Sequence, residues 1–564
     1  MDINFYKIRQ TSRGRQDSFE CLVCSLFHRK FANFGEYQCY RGDGGDGGVE
    51  AIFISPDNSE IGVQAKFWEN NEFGSSQQSQ LDHSLKTALE NHPNLKTYYV
   101  AIPFDLTGNV SAGKRGKSQT QKFNEWKSKS EKEHSVKIEL WTKSILCDIL
   151  LEVDFSKGLQ RYWFDENILT EEQRLDHIRD AKSQAGEKYT SDLNVGVPLM
   201  NTLGSFTNVE FLNKQCNDRI RTIQKDFLED SCFQEALGES CKCVCQSICL
   251  IIDLLKNLIN RKNVEESCKN LVKSCQELFP VLEKGKQEQL QILKNRFGDK
   301  FVDNERFRQF QAQYMCDFPA AKLDKIREFK KFLSGLLYWM DGDSFRVSYS
   351  NFLAIKGPAG IGKTFCVIDY VEQNKDCAHY IFYGDDFNND EPWRVILNKL
   401  GLSATISREE LFGSLDACAE NLGKTSVIFI DALNESGERK KWKKWLAPLI
   451  NQISSYPHLK LCVTCRDTYW SDVFREEDKY IVVEHNGFWG QEQKAIRAFF
   501  KHYKLNEPIY PLFNQEFGNP LFLRLFCESF KNESFADFPK GKIGLKVVYQ
   551  RYVKKKDKAN SRIL

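Results

Sequence analysis

The residues GPAGIGKT, from Gly357 to Thr364, have the types and spacing to hold a nucleoside triphosphate. They fit the pattern G-x-x-x-x-G-K-[ST]. Its glycines let backbone N–H groups close around phosphates, and the helix that follows adds positive potential at its N-terminus. Lys363 is spaced to reach the β- and γ-phosphates, and the Thr364 hydroxyl to hold Mg²⁺. An apolar run at 352–355 reads as the preceding strand, and 365–371 reads as the helix the loop must open. On this reading Gly357, Pro358, Ala359, Gly360, Ile361, Gly362, Lys363, Thr364 and Phe365 form an ATP-binding loop.

Two later stretches supply the remaining groups. The run VIFID at 427–431 reads as a buried parallel strand ending in Asp431, where a second Mg²⁺ contact is needed. Glu435 follows four residues on and is a candidate to orient an attacking water. A third apolar strand at 459–464 leads to Arg466, which can sense a γ-phosphate from a strand end. Three such elements in this order predict an ATPase.

A second constellation lies near the N-terminus. A glycine-rich approach, GDGGDGGVE at 42–50, leads into an alternating strand at 51–54, a turn at 56–59 and a return strand at 61–68. A turn centred near residues 57 and 58 sets Glu50 opposite Gln64 to Lys66, and side-chain alternation puts Gln64 and Lys66 on one face. A carboxylate, an amide carbonyl and a lysine can bind Mg²⁺, polarise a phosphodiester and stabilise an attacking hydroxide. Asp46 and Glu20, on the preceding helix, are further carboxylates that can close such a site. An ordinary hairpin with polar edge residues is the competing reading.

GDGGVE followed by VQAK resembles the PD-(D/E)xK nuclease core in its Mrr restriction-endonuclease form, and the text from Gln80 to about Phe164 is similar to double-strand DNA endonuclease effectors of cyclic-oligonucleotide defence systems. The resemblance implies catalytic roles for Glu50, Gln64 and Lys66, with Glu50 and Gln64 on Mg²⁺ and Asp46 and Glu20 in support. Glu50 stands where Mrr-type sequences usually carry Asp, and Gln64 replaces the more common acid. Lys86, Lys114, Arg115 and Lys117 are candidate contacts for backbone phosphates.

Farther on, GNPL at 518–521 resembles the G-x-P motif of signal-transduction ATPases, the STAND class, whose proline-bearing turn sits against adenine; this implies that role for Pro520. With GPAGIGKT, VIFIDALNE and TCR, the STAND resemblance covers about 200 residues. A nuclease joined through helices to a STAND ATPase resembles the antiviral STAND (Avs) proteins. That family implies a phage protein as trigger, ATP-dependent homo-oligomerisation with a tetramer favoured, and DNA degradation. Its members carry a large C-terminal sensor; here GLKVVYQRYVKKK begins a winged-helix-like segment, so the trigger is expected to be read by a missing sensor or by another protein.

The elements that must position these groups follow from the whole chain. Its 564 residues suggest about three or four domains. Lys plus Arg number 79 against 77 Asp plus Glu, so net charge names no partner. No apolar run approaches the roughly 20 residues of a membrane span, and the first residues lack a secretory h-region, so the expected location is cytoplasmic. In that compartment the 19 cysteines suggest thiols or metal rather than disulfides. Cys241, Cys245 and Cys249 share a helical face beside Ile248 and Leu250 and are expected in a helical core, as are Cys21 and Cys24.

The expected architecture is multidomain α/β: a PD-(D/E)xK nuclease fold at 1–165, a helical linker at 166–335, a P-loop STAND NTPase with a parallel sheet and flanking helices at 336–488, its helical subdomain at 489–532, and an incomplete winged-helix segment at 533–564. The function expected is an ATP- and Mg²⁺-dependent antiphage DNA endonuclease acting on double-stranded DNA. A restriction-type translocating nuclease and a non-catalytic nucleic-acid-binding assembly protein are the alternatives.

Overall fold

The computed structural model describes residues 3–40, 47–108, 116–165, 168–259, 264–297, 319–388, 390–477, 480–505, 515–530 and 548–554. Asp46, Lys114, Arg115 and most of the segment 533–564 lie outside them. Among the described residues the chain is mixed α/β, mostly helical, with two five-stranded sheets that contain parallel strands. Among the described residues no helix is long and apolar enough to cross a membrane.

The first sheet runs β1 (Glu36–Cys39), β2 (Ala51–Ile54), β3 (Glu60–Ala65), β4 (Leu95–Ala101) and β5 (Lys137–Trp141), in that spatial order. β1, β2 and β3 are antiparallel neighbours, and β4 and β5 add in parallel through helical crossovers. Alternation sorts the two faces. Ala51, Phe53, Ile61 and Val63 pack with Phe19, Leu22 and Phe27 of the helix Arg15–Lys30. Ile52, Tyr98 and Val100 pack with Leu81 and Leu85 of the helix Ser75–Asn91 and Phe123 and Trp126 of the helix Gln119–His134.

The second sheet is wholly parallel: β6 (Phe352–Gly357), β7 (Tyr380–Tyr383), β8 (Ser426–Asp431), β9 (Leu459–Arg466) and β10 (Val482–Glu484), in the spatial order β10-β6-β9-β8-β7. β8 is buried along its whole length, as the unbroken VIFI run requires for a strand covered on both faces. β9 is inserted between the strand before the glycine-rich loop and the strand ending in Asp431.

The helical stretch between the sheets is divided by its packing. Ile178 and Ala181 of the helix Glu171–Ala185, and Leu203 and Phe206 of the helix Pro198–Thr207, belong to one face of the second sheet. From Val209 to Asp341 the helices bury Phe227, Phe233, Ile248, Leu255, Leu282 and Phe329 in a core of their own. The helical bundle is thus inserted within the unit that carries the second sheet. Cys21 and Cys24 are buried as expected, but Cys249 and Leu250 are exposed and Cys241 and Cys245 only half-buried. The buried stripe of that helix is instead Val244, Ile248, Ile251, Ile252 and Leu255, because the isoleucines and leucines remove more apolar area than the thiols.

The N-terminal unit docks on the second sheet's flank, and both contribute to one continuous core. The helix Gly158–Phe164 lies so close to the helix Arg408–Asn421 that a Cβ on Gly158 would fall 2.2 Å from the Gly413 carbonyl carbon. Arg29 reaches Asp416 at 3.3 Å and Glu420 at 2.8 Å, and Arg161 reaches Glu410 at 3.0 Å. Glu410 also accepts from the Ser407 N–H while Ser407 Oγ accepts from the Glu410 N–H, so one carboxylate closes a capping box and joins the two units.

Candidate functional site

The glycine-rich loop bends from β6 into the helix Lys363–Gln373. Gly360 sits at φ +71°, and a Cβ there would meet Leu521 Cδ2 at 2.6 Å, so only glycine fits. The Leu521 N–H donates to Gly360 O at 3.2 Å, seating the Gly518-Asn519-Pro520 turn against the loop. Lys363 is buried, and its ammonium donates to Gly357 O at 2.7 Å and Pro358 O at 2.9 Å. Burial pulls its pKa below the usual lysine value, against the opposing pull of Asp431.

Asp431 ends β8 fully buried and is gripped from both sides. Thr364 Oγ1 donates to its Oδ2 at 2.6 Å, and Thr464 Oγ1 to its Oδ1 at 2.5 Å. Burial raises the Asp431 pKa, while the two hydroxyl bonds pull it down. Thr464 Oγ1 also accepts from the Ala432 N–H at 2.8 Å, which fixes the strand end with Ala432 at φ +56°. Asn434 Oδ1 accepts from the Arg466 N–H at 3.0 Å, and Arg466 Nη2 bonds Glu435 Oε1 at 2.8 Å. Burial beside Lys363 pushes His485, at the end of β10, down to about 4.

These groups line one cavity of about 390 Å³ at the carboxyl ends of the parallel strands, where open α/β sheets accept ligands. Lys363, Thr364, Phe365, Asp431, Glu435, Arg466 and Pro520 all face it. Its apolar part is built from Leu193, Val195, Val197, Phe488, Phe499 and Leu521. Thr364 and Asp431 present a hydroxyl and a carboxylate at hydrogen-bond range, a hard oxygen pair that suits Mg²⁺. The lysine, the loop amides and Arg466 offer charge to a polyphosphate.

Sequence reasoning missed several lining residues. Thr464 was within reach, since it stands two residues before Arg466 on the same strand. Glu187, Lys188, Leu193, Val195 and Val197 carried no signal, because the helical insertion separates them from the loop by more than 150 residues.

At the N-terminal unit the turn is centred on Asp57: Ala51 opposes Val63, Ile54 opposes Glu60, and the Ser55 N–H donates to Ser59 O. Gly48, at φ +86°, lies against the helix Ser75–Asn91, where a Cβ would meet Ala88 N at 2.3 Å. Tyr98 Oη donates to Gly48 O at 3.0 Å, and this anchors the chain just before Glu50. The Gln64 amide donates to the Glu50 carboxylate, and both side chains are buried. Lys66 lies two residues on, half-buried, with its N–H donating to Ala101 O at 2.9 Å. Glu20 accepts from Gln16 Nε2 at 3.0 Å on the helix that covers the opposite face of the sheet. Lys86 and Lys117 pair with Glu90 and Glu125 on the surface.

No known protein family's profile matches the chain, and a search of curated proteins finds no match.

Proposed function

We propose that the chain is an ATP-controlled, Mg²⁺-dependent endonuclease of antiphage defence, acting on double-stranded DNA. The observation that carries the ATP part is the bonding of Thr364 and Thr464 to Asp431 beside Lys363, in a cavity with Arg466 and Glu435. Mg²⁺ bound there would neutralise phosphate charge. Thr364 and Asp431 would hold it, Lys363 would leave the Gly357 and Pro358 carbonyls for the β- and γ-phosphates, and Arg466 would contact the terminal phosphate. Pro520 and the apolar wall would take the base.

The nuclease part is supported by the buried Glu50–Gln64 pair at the end of a hairpin, with Lys66 one residue past the end of β3. Glu50 and the Gln64 carbonyl would hold Mg²⁺, and Lys66 would polarise the scissile phosphodiester. ATP-dependent homo-oligomerisation on a phage-protein trigger would bring the N-terminal units together on DNA.

Linear double-stranded DNA, Mg²⁺, ATP and phage-infected lysate, with Lys66→Ala and Lys363→Ala alongside, test this reading. Cutting is expected from the unaltered chain only, and only with ATP and lysate; Lys66→Ala should still bind ATP. Cleavage by Lys66→Ala overturns the hairpin assignment.

A further inference from the structure

The carboxylate of Glu435 is held by two cations. Arg466 Nη2 takes Oε1 at 2.8 Å, and Lys188 Nζ lies 3.4 Å from Oε2. Arg466 comes from the end of β9 beside the phosphate loop. Lys188 comes from a strap, residues 186–197, that joins the helix Glu171–Ala185 to the helix Pro198–Thr207 and precedes the helical insertion. Both cations line the same cavity as Lys363.

The backbone of the strap is fixed, but the end of the Lys188 side chain is free to move. Arg524 bonds the Glu187 carbonyl at 2.5 Å and its carboxylate at 2.6 Å, tying the strap to the helix that begins at Pro520. Tyr189 Oη and Asn194 Nδ2 both donate to Asp369 on the helix that follows the phosphate loop. On the other side, Tyr383 Oη donates to Ala181 O at 2.6 Å and His177 Nε2 accepts from the Ile381 N–H, clamping the helix Glu171–Ala185 to β7. The Lys188 side chain is about half exposed (53%), so its ammonium can swing without disturbing the core.

Resting on the reading of this cavity as an ATP site, we infer that Lys188 is a γ-phosphate-contacting residue that exchanges its Glu435 partner for the terminal phosphate when ATP binds. With a cation on each oxygen, Glu435 is a weaker base and less well placed to orient water. A γ-phosphate carries more charge than one carboxylate and draws both cations away. The exchange leaves Glu435 free only when a triphosphate is present. ADP, which ends at the β-phosphate, leaves the Lys188–Glu435 pair closed.

The test uses the full chain with Mg²⁺ and either ATPγS or ADP, titrated calorimetrically. Lys188→Ala is expected to weaken ATPγS by about tenfold and ADP by less than about twofold, since one charge-assisted contact is lost for the triphosphate alone. Lys188→Arg should restore most of the difference, and melting curves should match the unaltered chain because a half-exposed side chain leaves no cavity. Equal losses for both nucleotides, or none, overturn the inference. If the unaltered chain binds neither nucleotide, or Lys363→Ala binds both unchanged, the ATP reading itself fails.

Discussion

Replacing Gln64 by glutamate probes the N-terminal site most directly. In the native chain the Gln64 amide donates to the Glu50 carboxylate, with the two residues only 1% and 7% exposed. Gln64→Glu keeps the shape but turns the donor into a second carboxylate. Two unit charges about 4 Å apart repel by about 4 kcal/mol at an effective dielectric of about 20. That corresponds to about three pKa units for the pair. Without metal, one carboxyl then keeps its proton up to about pH 7. The folded pKa lies above the unfolded value of about 4.3, so the folded variant binds a proton that the unfolded chain has released. Its stability should therefore fall as pH rises from about 4 to about 7, and level off above. Mg²⁺ supplies charge that both carboxylates can share, and should recover much of the loss at about pH 7.5. Hydrogen exchange of the β2 and β3 amides, with Mg²⁺ or with chelator, reads this locally. A variant whose protection tracks the unaltered chain at every pH, with no response to Mg²⁺, refutes the idea that Glu50 and Gln64 form a cation site.

Three further outcomes are expected. Burial pushes His379 down to about 4, and its Nδ1 accepts from the Val427 N–H at 3.1 Å. Its folded pKa lies below the unfolded value, so its contribution is full above about pH 6.5 and fades towards about pH 4; about 1.3 kcal/mol should go between about pH 7.5 and 5.5. His379→Asn, which keeps an acceptor, should lose that slope in urea titrations, and an unchanged slope would count against it. Asp431→Asn should cut Mg²⁺-dependent ATP affinity by about tenfold or more and leave metal-free binding nearly unchanged, a contrast that titration with and without chelator reads out. Arg29→Ala leaves the half-engaged acids Asp416 and Glu420 on the docking face and should cost about 1–3 kcal/mol of docking. Combined with Gly158→Ala, whose Cβ collides with Gly413, it should release the N-terminal unit and enlarge the particle in small-angle scattering; an unchanged profile would show that neither contact holds the units together.

Local features of both candidate sites were legible before any fold was known. The GPAGIGKT loop depends on φ values only glycine tolerates and on a helix start directly after it, both written within a few residues. The Glu50–Gln64 pairing follows from a turn centred on Asp57, because strand register propagates from a turn with a period of two. The burial of VIFID follows from its unbroken apolar run. Helix existence was equally readable, but the buried face of the helix Cys241–Ile259 was not: two stripes competed, and the one with more apolar area won.

Which strands become neighbours was decided by the tertiary structure. Only the placement of β9 between β6 and β8 carries Thr464 onto Asp431 and Arg466 onto Glu435. Only the insertion of the helical bundle returns Lys188 to a loop more than 150 residues away in sequence. Only the approach of Gly158 to Gly413 joins the N-terminal unit to the second sheet. Backbone geometry and side-chain period act over a few residues and can be read from sequence. Long-range adjacency is set by which apolar faces find each other, and a linear pattern of similar faces does not specify that choice.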